Sequence, residues 1–149
     1  MNLHEQKCDL FTVGNQYALA HCVSTDCAMA AGIAKVFVEK FPMMRDVVKT
    51  RHQGIGTACL YAEWDKDKGW TRVFNLITKP LFWHKPSLLS VRESLEDLKK
   101  YMLELNLSQI AMPRIASGLD RLPWDAVKQT ISDVFSDTDI EILVCYLEH

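Results

Sequence analysis

An α/β fold, with a mixed, largely parallel central sheet held between helix layers, is what this sequence predicts. Two short and nearly continuous apolar runs, Tyr17 to Val23 and Ile140 to Leu147, have the composition of strands buried on both faces. Segments with apolar residues at helical spacing alternate with such runs, and that alternation points to a sheet sandwiched by helices. The 149 residues suit one domain, 1–149, able to bury a core without disulfides or metal.

Taken in order, the first strand signal is Tyr17 to Val23. A helix should follow, capped by Thr25 or Asp26, with Met29, Ile33, Val36, Phe37 and Phe41 on its apolar face and Pro42 ending it. Thr57 to Ala62 and Arg72 to Thr78 read as two strands around a polar turn at Asp65 to Gly69, the second ending at Lys79. After Pro86, the series Leu88, Val91, Leu95, Leu98, Met102 and Leu105 marks the clearest amphipathic helix. Gln109 to Met112 is a short strand. Trp124, Val127, Ile131, Val134 and Phe135 form the next helix face. The run from Ile140 has too little polarity for an exposed edge, which predicts an interior strand. Arg45 to Arg51, followed by His52, is cationic and reads as solvated surface.

Composition excludes several classes. A hydrophobic fraction of 48% with a net charge of −2 lacks the basic excess that nonspecific nucleic-acid binding requires. The N-terminus has no signal-peptide apolar core, and no segment approaches the roughly 20 apolar residues of a membrane span, so an intracellular location is expected. Cys8, Cys22, Cys27, Cys59 and Cys145 are odd in number and lack the paired spacing of zinc sites, so reduced structural thiols are expected.

In open α/β sheets, ligands collect where strands lead into helices. Ser24 to Ile33, Lys79 to Pro86 and Arg114 to Pro123 are three such loops. The third, within Met112 to Trp124, combines small residues with one carboxylate, Asp120, ahead of a helix. Such a loop can hold a phosphate on backbone N–H groups while aiming an acid at what the phosphate carries. A nucleotide-derived ligand is the expectation.

Several motifs carry a resemblance beyond these spacings. Cys8-Asp9-Leu10-Phe11, Ala20-His21-Cys22-Val23, Met29-Ala30-Ala31-Gly32-Ile33-Ala34, Leu76-Ile77-Thr78-Lys79, His84-Lys85-Pro86 and Met112 to Trp124 together resemble macrodomains of the terminal ADP-ribose protein glycohydrolase family. The likeness runs in order through nearly the whole chain. It implies a three-layer α/β/α macrodomain that binds ADP-ribose and releases it from acidic side chains, with no metal or cofactor. It implies ADP-ribose and ADP-ribosylated proteins as partners, poly-ADP-ribose or ADP-ribosylated nucleic acid as further ones, no membrane partner, a monomer, and residence in nucleus or cytoplasm. O-acetyl-ADP-ribose is a further substrate in this reading. The alternative is a reader that holds ADP-ribose without cleaving it.

By the same resemblance, Lys79 is the catalytic nucleophile, displacing a carboxylate from the anomeric carbon to give an adduct that opens to a Schiff base. Asp120 is its acid/base partner. Asp9, followed by Leu10, would accept from the adenine amino group, selecting adenine over guanine. Ala30, Ala31, Gly32 and Ile33 would hold the diphosphate and proximal ribose. Pro113, Ile115, Ala116, Ser117, Gly118 and Leu119 would hold the other side.

Departures from the family pattern stand at Cys8, Ala30 and Ala116, where glycine is more usual. At the two alanines a methyl group falls where backbone meets ligand or needs positive φ. His21 reads as a hydrogen-bonded core histidine, and Cys22 carries no sign of a nucleophile motif. Phe82, Trp83 and His84 read as a lid or adenine-side wall, or as a cluster packed on its own domain.

Overall fold

A computed structural model describes residues 1–147. Its elements are β1 (Asn2–Lys7), β2 (Ala18–Ser24), α1 (Gly32–Lys40), α2 (Met44–Arg51), β3 (Thr57–Asp65), β4 (Gly69–Lys79), α3 (Leu88–Glu104), β5 (Gln109–Met112), α4 (Trp124–Phe135) and β6 (Glu141–Tyr146). The sheet order is β1-β6-β5-β2-β4-β3. All neighbours are parallel except β3, which pairs antiparallel with β4. The sheet is therefore mixed and largely parallel, and β6 is interior, as its apolarity predicts.

Side-chain alternation along each strand divides the core into two layers. Ala18, Ala20, Phe74, Leu76, Ile110, Met112, Ile142 and Val144 join α3 and α4 on one face. Their neighbours in sequence, Leu19, Val23, Val73, Ile77, Ala111, Leu143 and Cys145, pack with α1 and α2 on the other. Ser87 starts α3 with a capping box, its side chain accepting from Ser90 N–H at 3.0 Å while Ser90 Oγ accepts from Ser87 N–H at 3.2 Å.

Three features differ from expectation. β1 has one apolar residue, Leu3, because it is an edge strand with a single neighbour, and its charges are those that protect an edge. The cationic tract is a helix, α2, because Met44 and Val48, one turn apart, bury against the sheet while its charges face out. Neither Thr25 nor Asp26 caps α1. That helix begins at Gly32 behind Ala31, which makes no side-chain cap, since Asp26 is engaged within the preceding loop.

The β3–β4 hairpin is longer than its apolar residues suggest. Asp65 Oδ1 accepts from Asp67 N–H at 2.7 Å and from Lys68 N–H at 3.1 Å, and Gly69 takes φ 80°. Trp64 and Trp70, directly opposite in register, meet edge to face at 5.6 Å and hold the tip together. Among the described residues, no helix is long and apolar enough to cross a membrane.

His21 is a core residue, as expected. Its Nε2 lies 2.7 Å from Asn75 Oδ1, and Asn75 Nδ2 donates to Cys59 O at 3.2 Å, which orients the amide and makes Nε2 the protonated nitrogen. Burial pulls the ring's pKa down from 6.5 to about 4, against the opposing effect of the Asn75 bond. The folded state therefore excludes a proton that the unfolded chain accepts. Stability from this site is full above 6.5 and is lost as pH falls toward about 4. Urea unfolding at about pH 5 should show about 2 kcal/mol less stability than at about pH 7, and equal stability at both would contradict a buried neutral His21.

Candidate active site

Five parallel strands end on one side of the sheet, and the three predicted loops meet there. They enclose a cleft of about 610 Å³, within the range of small-molecule sites. Ala30–Ile33 contributes one wall, Pro113–Ala116 with Gly118–Arg121 another, and Lys79, Phe82, Trp83 and Lys85 a third.

Lys79 is the last residue of β4, and its backbone is pinned from two sides. Thr25 N–H donates to its carbonyl at 3.0 Å. From α3, Ser90 Oγ donates to Thr78 O at 2.7 Å and Ser94 Oγ to Ile77 O at 2.9 Å. The register against β2 slips between Val23 and Ser24, so that Ser24 stands opposite Lys79.

Asp120 sits in a loop folded back on itself. Leu122 N–H donates to Ala116 O at 2.8 Å, and Arg121 N–H to Gly118 O at 3.2 Å. The donor that a turn aspartate would take for itself, two residues on, is thereby used elsewhere. Asp120 Oδ1 instead accepts from Lys79 Nζ at 2.5 Å, and the two side chains are only 13% and 14% exposed. An amine and a carboxylate 41 residues apart in sequence thus meet, largely out of water.

Asp26 ties two of the loops together. It accepts from Phe82 N–H at 3.2 Å and Ala28 N–H at 3.3 Å, and also from Ser24 Oγ. Burial works to raise its pKa, but these donors outweigh it and hold the carboxyl below the usual range. Asp26→Ala should cost about 1–3 kcal/mol, the toll of leaving such donors without their acceptor. A urea midpoint unchanged from the parent would show that the tie carries no weight.

Lys85 Nζ donates to Leu119 O at 2.8 Å, strapping the Lys79 loop to the Asp120 loop. Arg114 is held by Glu5 Oε1 at 3.2 Å and stacks over the Tyr146 ring at 4.5 Å. Glu5 also accepts from Trp124 Nε1 at 2.9 Å and Lys128 Nζ at 2.8 Å. The bond from Lys128, set against burial, keeps the Glu5 carboxyl ionised below its ordinary range. Lys85, Arg114 and Arg121 give the cleft a cationic side suited to an anionic ligand. They were not among the expected site residues.

Cys22 lines the cleft floor, yet burial and then the Asp120 charge push its thiol up to about 12. It stays protonated and is no nucleophile.

Most expected residues reach the cleft wall: Lys79, Asp120, Ala30, Ala31, Gly32, Ile33, Pro113, Ile115, Ala116, Gly118 and Leu119. Three stand off it. Asp9 caps the 3-10 turn Leu10–Thr12 by accepting from Phe11 N–H at 3.0 Å, which is the ordinary use of an aspartate at that place. Leu10 is buried in the core layer of α1 and α2. Ser117 Oγ donates to Ile115 O at 3.0 Å.

The two alanines behave differently from each other. Ala116 takes φ 58°, the left-handed conformation expected of glycine there. It is 6% exposed and packs into the core layer of α3 and α4. In the other loop positive φ values fall on Cys27 (53°), Met29 (45°) and Gly32 (61°), and not on Ala30. Phe82 and Trp83 are 57% and 64% exposed on the cleft rim, in the wall position and not packed away.

A second groove, of about 590 Å³, lies between α3 and α4. Four of its charges pair within the protein: Arg92 with Glu96 at 3.2 Å and Lys99 with Asp137 at 2.6 Å.

No family model matches the chain. Human ADP-ribose glycohydrolase OARD1 is 39% identical over 138 residues, covering 93% of this chain and 87% of that protein. Among solved structures, the macrodomain of Thermus aquaticus DarG superposes with TM-score 0.85 at 26% identity, covering 97% of each chain. Thermosipho africanus DarTG, solved in complex with ADP-ribose, gives TM-score 0.86 at 19% identity over 97% of this chain and 41% of that one. The three-layer fold, the order of the motifs and these relatives lead to one conclusion: the chain belongs to the macrodomain family of the terminal ADP-ribose protein glycohydrolases.

Proposed function

We propose that this macrodomain is an ADP-ribosyl hydrolase that removes ADP-ribose from glutamate and aspartate esters through Lys79 and Asp120. The carrying observation is the 2.5 Å contact between Lys79 Nζ and Asp120 Oδ1 at the floor of the cleft. The relatives' names, ADP-ribose glycohydrolase and a complex with ADP-ribose, support the same ligand.

In this reading the diphosphate lies against the backbone of Ala30–Ile33 and Gly118–Leu119, whose N–H groups serve as donors. Lys85, Arg114 and Arg121 offset its charge. The distal ribose faces Lys79. Asp120 takes a proton from the Lys79 ammonium, because only the free amine has an electron pair to give. The amine attacks the anomeric carbon, the C–O bond to the protein carboxylate breaks, and the carboxylate leaves with the bonding pair.

The substituted nitrogen gives a proton to the departing carboxylate, and its freed electron pair forms the C=N bond as the ring C–O bond breaks and Asp120 returns its proton to the ring oxygen, leaving a protonated Schiff base on Lys79. Water adds to that carbon, the C–N bond breaks, and free ADP-ribose departs while Lys79 recovers its proton. No step calls for a metal.

The test is release of ADP-ribose from a carrier protein modified on glutamate or aspartate, followed by chromatography. Stoichiometric release supports the reading. Binding by calorimetry without release would leave the protein a reader, and absence of both would remove ADP-ribose as the ligand. A reader would be favoured by the two alanines, since Ala116 lines the cleft at φ 58°, and the release assay separates it from a hydrolase.

A further inference from the structure

Cys8 and Cys145 lie at the edge of the sheet, where β1 ends against β6. Cys8 follows the last residue of β1, and its N–H donates to Tyr146 O at 3.0 Å. The two sulfur atoms are 3.0 Å apart, with Cys8 Sγ donating to Cys145, across 137 residues of sequence. A disulfide needs about 2.05 Å, so closure asks for a shift of only about 1 Å. Both thiols are free.

The two members differ in access. Cys8 is half-buried at the surface, whereas Cys145 is buried within the layer of α1 and α2. Burial, then the contact with Cys8, pushes the Cys145 thiol up to about 12. Cys8 is thus the thiol that meets an oxidant first, and Cys145 is the one that resolves it.

We propose that Cys8 and Cys145 form a modification site for peroxides, closing reversibly into a disulfide that staples the edge strand β1 to β6. In the first step the Cys8 thiolate attacks one peroxide oxygen and the O–O bond breaks. Hydroxide leaves, takes up the proton lost by Cys8 and becomes water, while Cys8 carries a sulfenic acid. In the second, the Cys145 sulfur attacks the sulfenic sulfur, the S–S bond forms and the S–O bond breaks. The departing hydroxide takes the Cys145 proton and leaves as water. Two thiols lose two electrons and two protons, and one peroxide becomes two waters.

The consequence is mechanical. β1 has one neighbour in the sheet and carries Glu5, which holds Arg114 in the cleft wall. A bond closing so long a loop removes much of the freedom of the unfolded chain, so the thermal midpoint should rise by at least about 5 °C.

The experiment treats the reduced protein with a small excess of hydrogen peroxide, alkylates remaining thiols and maps the peptides by mass spectrometry. A Cys8–Cys145 linked peptide, with Cys22, Cys27 and Cys59 alkylated, is expected. The midpoint should rise and return after dithiothreitol, and Cys8→Ser should lose both the link and the rise. Cys8 recovered as sulfinic acid without a linked peptide would overturn the proposal, as would a bridge between Cys27 and Cys59 in its place. A linked peptide with an unchanged midpoint would overturn the staple.

Discussion

Lys79→Ala should abolish ester hydrolysis, lowering the rate by at least about a thousandfold, which corresponds to ~4 kcal/mol of lost transition-state stabilisation. If the amine forms the covalent bond to the ribose, neither neighbour at the cleft floor can replace it: Cys22 is held protonated by burial and the Asp120 charge, and the Asp120 carboxylate has no nitrogen with which to form an imine. Alanine also leaves the Asp120 carboxylate, 14% exposed, without its cation, so some loss of stability accompanies the change.

Lys79→Arg separates these effects. It keeps a positive charge beside Asp120, and with it the pairing that favours the fold, but a guanidinium stays protonated and offers no free electron pair. Arginine should therefore preserve the thermal midpoint and ADP-ribose binding while losing hydrolysis. Turnover by either variant within tenfold of the parent would remove Lys79 from the mechanism, since about 1.4 kcal/mol is too little for a covalent nucleophile.

The largest stability effect is expected at the opposite end of α1, from Phe37→Ala, which should cost about 3–5 kcal/mol. Phe37 is fully buried. Its ring stacks on His21 at 3.9 Å with planes 17° apart, meets Phe11 edge to face at 4.8 Å and lies 6.2 Å from Phe41. Removing it opens a cavity that His21, bonded to Asn75, cannot swing to fill. Against a total of roughly 5–15 kcal/mol for a domain, that loss is large. Urea unfolding at neutral pH measures it. The folded fraction should still hydrolyse ester, because Lys79 and Asp120 are untouched. An effect below about 1 kcal/mol would mean that the α1 layer is looser than its packing indicates.

The two variants together show which parts of the molecule were legible from sequence. Nearly continuous apolar runs mark β2 and β6, because burial on both faces of a sheet leaves no polar positions, and the leucine spacing marks α3, because burial of one face of a helix leaves a periodic trace. β1 left none: an edge strand with one apolar residue looks like a polar tail until Leu3 and its neighbours are seen paired with β6. α2 was hidden for a related reason, since Met44 and Val48 are a two-residue stripe among charges.

The site divides in the same way. Lys79 and Asp120 were found by their motifs, and only the fold shows them in contact. The helix-capping role expected of Asp26 was instead a tie between loops, because its acceptors face Phe82 and Ala28. Lys85 and Arg114 lie in the motifs and in the candidate loops, but no role is legible for them there: a single basic residue in a loop has no period, and its meaning comes from partners such as Leu119 and Glu5 that are distant in sequence. Asp9 carries the family motif, and its Oδ1 also caps the turn that follows.

In the proposed mechanism Lys79 becomes covalently attached to the distal ribose during turnover. Sodium cyanoborohydride added during hydrolysis of an ADP-ribosylated carrier would reduce a Schiff base to a stable secondary amine, and peptide mass spectrometry would locate it. An ADP-ribose adduct on Lys79, increased in Asp120→Asn and absent from Lys79→Arg, is the expected result. Full hydrolysis with no adduct on Lys79 at saturating reductant, or an adduct on another lysine at equal yield, would contradict the account.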